Sequence, residues 1–110
     1  MSTIAAISTG RAPGGIGVIR ISGENAISVA DKIFSSFNGK KLCELSGYSA
    51  LYGKASDDNG SIDNVVALVF KAPKSYTGED VVEISCHGGL FVTDKVLKAV
   101  YSSGKLIIQL

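Results

Sequence analysis

Cysteine is scarce in this sequence, charge of one sign does not dominate, and no long apolar run occurs. Only Cys43 and Cys86 carry thiols among 110 residues. They lie far apart, each in or beside apolar sequence, which excludes a disulfide framework and a zinc pattern. The expectation is two reduced, mostly buried thiols. The net charge is +1, with basic residues scattered along the chain. That excludes the basic footprint of a nucleic-acid binder working alone. No apolar run approaches the roughly 20 residues of a membrane span, and no signal peptide is read ahead of Ile4. Together these readings lead to the expectation of a cytoplasmic protein. The P-loop string Gly-x-x-x-x-Gly-Lys-Ser/Thr is also missing, so no lysine and hydroxyl are set to hold nucleotide phosphates and magnesium.

What is present suits one domain over residues 1–110, since 45% of the residues are apolar. The apolar run Lys-Leu-Ile-Ile-Gln-Leu at residues 105–110 has no terminator, and suggests a domain cut from a longer protein. Residues 3–8 read as a strand and residues 9–15 as a loop dense in turn residues. Residues 16–22 read as a strand with Val18 and Arg20 on one face and Ile19 and Ile21 on the other. Ser22 is expected to cap a helix whose apolar stripe is Ala26, Val29, Ala30, Ile33 and Phe37, ended by Asn38-Gly39. Residues 40–47 form a polar connection. Strands at residues 48–55 and 62–70 flank Asp57-Asp58-Asn59-Gly60, where Asn-Gly favours a primed hairpin turn. The unbroken run Val-Val-Ala-Leu-Val-Phe at residues 65–70 implies a strand covered on both faces. A strand from Val81, a glycine pair and a second helix with Leu90, Thr93, Val96, Leu97, Val100 and Tyr101 inward come next. Ser103-Gly104 caps that helix, and a strand begins at Lys105. The order β-β-α-β-β-β-α-β gives an α+β, α/β-like fold, a mixed sheet with two main helices.

The chemistry gathers on two strands. From Val81, alternation puts Val82, Ile84 and Cys86 on one face and Val81, Glu83, Ser85 and His87 on the other. Glu83 and Arg20 are charges in otherwise apolar strands, and such charges need a partner or a ligand. They either form a salt bridge or face a shared pocket. A carboxylate suits the adjacent N–H donors of a planar heterocycle such as a pterin, and an arginine fork suits a carbonyl or carboxylate. The glycine-rich stretch at residues 10–17 matches neither a P-loop nor a dinucleotide fingerprint and reads as a structural turn. His87-Gly88-Gly89 either offers helix-start amides to an anion or only permits a tight turn. His87 has no metal-ligand spacing around it, and Ser85 with His87 makes no nucleophile triad.

Three strings now carry a resemblance: Gly-Gly-Ile-Gly-Val-Ile-Arg-Ile-Ser-Gly at residues 14–23, Ala-Pro-Lys-Ser-Tyr-Thr-Gly-Glu-Asp-Val-Val-Glu at residues 72–83, and His-Gly-Gly at residues 87–89. In this order and spacing they resemble the N-terminal domain of the MnmE/TrmE family of tRNA-modification GTPases. The resemblance implies a folate-binding domain of the aminomethyltransferase type that also mediates homodimerisation. It implies a tetrahydrofolate derivative, in the 5-formyl or methylene form, as cofactor, with Arg20 and Glu83 as its contacts. A third contact, a lysine, falls beyond this chain in the family. So do the GTPase domain that takes GTP, magnesium and potassium, and the catalytic cysteine. The loop Thr-Gly-Arg-Ala-Pro-Gly-Gly at residues 9–15 departs from the family's usual order, so no contact is carried over to it. The full-length protein is implied to work with the flavin-dependent partner MnmG on carbon 5 of the tRNA wobble uridine. GTPase activity is expected of that whole and not of these residues alone. Two other readings stay open: a purely structural dimerisation module, and a small self-contained enzyme using Glu83 and His87 in acid–base roles.

Overall fold

Strand alternation and helical periodicity resolve into two layers, a sheet with two helices against one face. The structure, a computed structural model, describes residues 3–8, 16–72, 78–103 and 107–109. Its strands are β1 (Thr3–Ile7), β2 (Gly17–Ser22), β3 (Phe34–Ser36), β4 (Tyr48–Asp57), β5 (Gly60–Phe70), β6 (Val81–Cys86) and β7 (Ile107–Gln109). The helices are α1 (Ala26–Ile33) and α2 (Leu90–Tyr101). The sheet runs β3-β4-β5-β6-β2-β1-β7. β7 pairs parallel to β1, and the other neighbours pair antiparallel. This is the expected α+β class, a mixed sheet with two helices.

The alternation read from the sequence decides what lies under the helices. Ile19 and Ile21 of β2, Val65, Ala67 and Val69 of β5, and Val82, Ile84 and Cys86 of β6 are all fully buried. They meet Val29, Ala30 and Ile33 from α1 and Val96, Ala99 and Val100 from α2. Each large side chain buried this way contributes about 1.5–3 kcal/mol before entropy is counted. Two devices bring α2 close to the sheet. Gly17 has no side chain where Thr93 packs, and a Cβ there would stand 2.2 Å from Thr93 Oγ1. Tyr101 donates its hydroxyl proton to the Ala5 carbonyl at 3.0 Å.

Several expectations fail, each for a local reason. α1 stops at Ile33, and Phe34 turns into β3, so the helix does not reach Phe37. β3 pairs with β4 across Gly53, whose missing Cβ lets the Ser35 carbonyl come close. Phe34 is therefore buried and Phe37 exposed. Ser22 is not the cap of α1; it stays in β2 and donates to Glu79 at 3.2 Å. Asn25 takes the N-cap position without a side-chain bond. The β4–β5 hairpin forms, but Asn59 does not take the positive φ that a primed turn needs, and only Gly60 does, at 121°. Asp57 instead accepts from the Asn59 amide at 2.8 Å, and the register shifts past Ala55. β5 is not covered on both faces: Val66 and Leu68 are only half-buried. Cys86 is buried as expected, whereas Cys43 is exposed, because its neighbour Leu42 fills the inward position of a short 3-10 turn. The expected turn at residues 9–15 and the Gly104 part of the second helix cap lie outside the described residues.

Candidate functional site

The face of the sheet away from the helices carries the predicted charges. β2 and β6 are central neighbours, and their register sets Arg20 directly opposite Glu83. Arg20 donates to Glu83 Oε2 from Nε at 3.0 Å and from Nη2 at 2.7 Å. The Glu83 side chain is 15% exposed and that of Arg20 41%, so the carboxylate is sunk and the guanidinium still meets solvent. The pair stands in a cross-strand row with small or apolar neighbours, Ala6 on β1, Leu68 on β5 and Ala50 on β4. The next row holds Val18, Ser85, Val66 and Tyr52. The row on the other side holds Ser22, Val81, Phe70 and Tyr48. There Val81 and Phe70 are buried, although they sit on the same face.

His87 follows β6 and is brought to a different place. Its backbone amide donates to Asp63 Oδ2 at 2.7 Å, and the Gly88 amide donates to the same oxygen at 3.2 Å. A carboxylate of the chain thus holds two amides of the glycine turn, which favours the turn-forming reading. Nδ1 of His87 lies 3.2 Å from the Asn64 carbonyl. A carbonyl only accepts, so Nδ1 is the donor in this contact. Gly89 takes φ of 88° on entry to α2, and a Cβ on Gly88 would meet Val92 at 2.6 Å. Asp63 was not singled out by the sequence. Its signal was an acidic residue just ahead of the apolar run of β5, one strand from the glycine pair.

Neither thiol is an activated nucleophile. Burial pushes Cys86 up to about 11, with the nearby Asp63 charge adding to the rise and Thr93 opposing it. The Cys43 thiol is raised too, by desolvation first and then by its hydrogen bond with Asp31. No grouping of three or more His, Cys, Asp or Glu able to hold a metal ion occurs among the described residues. No helix there is long and apolar enough to cross a membrane. Chemically, the open face offers an Arg–Glu pair set in an apolar floor, with tyrosines at one side: a surface suited to a flat ligand with a polar edge.

Comparison with known proteins agrees with the three strings. The family described as GTP-binding protein TrmE N-terminus matches residues 3–108. The chain is 48% identical over 100 residues to a tRNA modification GTPase MnmE of Clostridioides difficile, covering 91% of this chain and 22% of that protein. It is 46% identical over 108 residues to the protein of that name from Lachnoclostridium phytofermentans, covering 97% and 24%. A third, from Parabacteroides distasonis, is 46% identical over 111 residues, covering 99% and 24%. The chain thus spans less than a quarter of the length of these relatives. With nearly all of its residues inside that match, the chain belongs to the TrmE N-terminus family and corresponds to the N-terminal domain of MnmE.

Proposed function

We propose that this chain is the folate-binding domain of a tRNA-modification GTPase. It holds a tetrahydrofolate derivative, in the 5-formyl or methylene form, as the one-carbon source for carbon 5 of the wobble uridine, and it pairs with a second copy of itself. The fold type is that of the aminomethyltransferase folate domains. The rest of such a protein takes GTP with magnesium and potassium and works with MnmG and tRNA in the cytoplasm. The observation that carries the reading is the Arg20–Glu83 pair on a sheet face that the helices leave open. Glu83 accepts from the pterin's ring N–H and amino group, where a carboxylate matches two adjacent donors. Arg20 fixes that carboxylate from the side and contacts the folate itself.

A second reading has an observation of its own. The ion pair forms as a salt bridge would, which suits a structural dimerisation module without ligand. Calorimetric titration of 5-formyltetrahydrofolate into wild type and Glu83→Gln separates the two. The substitution keeps the shape but replaces an acceptor oxygen by a donor, so binding should weaken by about tenfold or more. A folded Glu83→Gln that binds as tightly as wild type would return the pair to a purely structural role.

A further inference from the structure

We infer that Tyr52 is the stacking platform for the aminobenzoyl ring of the ligand and so selects a folate over a bare pterin. The inference rests on the folate reading above and adds a direction to it. From Glu83, two tyrosines of β4 lie at matching diagonals, Tyr48 toward one end of the sheet and Tyr52 toward the other. Each is two strands across and two residues along, which is about 12 Å from strand spacing and rise. That span suits a pterin at Glu83 joined through a short bridge to an aromatic ring over a tyrosine.

The two routes differ in their floor. Toward Tyr48 the path crosses Val81 and Phe70, which are 0% and 4% exposed and already covered by the chain itself. The Tyr48 ring is 75% exposed and leans edge-on against Phe70 at 4.8 Å, much as Tyr52 does against Phe37, so it is the floor that separates the two routes. Toward Tyr52 the path crosses Leu68 and Val66, both half-buried and apolar, with the half-buried Ser85 alongside. The bridge between the pterin and its aminobenzoyl ring would lie on that apolar floor. Tyr52 is 54% exposed. Phe37 braces it edge-on at 4.9 Å, and the Phe37 amide donates to the Tyr52 carbonyl at 3.0 Å. Phe37 is therefore a positioning residue, and the Tyr52 ring keeps an open face for an aromatic partner.

The test uses two probes on the 110-residue chain: 5-formyltetrahydrofolate, and a tetrahydropterin lacking the aminobenzoylglutamate arm. Tyr52→Ala should weaken the folate by about tenfold, Tyr52→Phe should retain it within about twofold, and Tyr48→Ala should leave it unchanged. The bare pterin should bind wild type and Tyr52→Ala alike. Tyr52→Thr replaces the alanine variant if β4 needs a β-branched residue to stay paired. Equal folate binding by wild type and Tyr52→Ala overturns the inference and leaves the folate reading standing. An equal loss in Tyr48→Ala, or an equal loss for the bare pterin, overturns it as well. If wild type binds neither probe, the folate reading fails and the inference goes with it.

Discussion

At the scale of the residue, position decides what a charge or a thiol does. Arg20 and Glu83 sit at paired positions of two central strands, and their ion pair is worth about 1 kcal/mol where water still reaches the guanidinium. That modest figure leaves room for a ligand to share the carboxylate. Cys86 shows the opposite case, a titratable group kept neutral by burial. Its folded-state pKa is about 11, above its ordinary 9.0. The neutral thiol's contribution to stability is then complete below pH 9 and is lost as pH rises through 11. Tyr101 is raised as well, by burial, and adds a loss of the same sign. Melting temperatures across this alkaline window should fall more steeply for wild type than for Cys86→Ala. Parallel slopes would mean that the thiol ionises without resistance from the fold.

Among elements, close approach between β2 and α2 governs the packing. Gly17→Ala would drive a Cβ into Thr93, which is 1% exposed and has little room to move. A loss of about 1–3 kcal/mol is expected from chemical denaturation. Thr93→Ala in the same chain should recover part of it, because the nearest clash is with the removed hydroxyl. If the double variant is as unstable as the sum of the singles, the contact is not the cause. Period-two alternation in β2 and β6 was enough to place Arg20, Glu83, Ser85 and the buried Ile84 on their correct faces. The end of α1 was not legible, because Phe37 continues the helical stripe. Only the pairing of Ser35 and Ser36 with β4 competes with that stripe, and a pairing partner about twenty residues away leaves no local signal. The Asp63 clamp was hidden likewise, since it joins β5 to the turn after β6, more than twenty residues on.

For the whole molecule, both helices pack on one face of the sheet, and the other face carries the Arg20–Glu83 pair. The run of β5 looked apolar on both sides, and the half-buried Val66 and Leu68 explain why. An apolar strand face needs a cover, whether from its own chain or from outside it. Self-association follows from the proposed function, in the two-fold form commonest for such assemblies. Sedimentation at high micromolar concentration should show dimer, and a purely monomeric boundary would count against the dimerisation role. The most direct measurement is a map of amide chemical shifts of the isotope-labelled chain with and without saturating 5-formyltetrahydrofolate. The account predicts changes centred on Val18, Arg20, Val66, Leu68, Glu83 and Ser85, and at Tyr52. Changes confined to α1 and α2, or none at all, would contradict it.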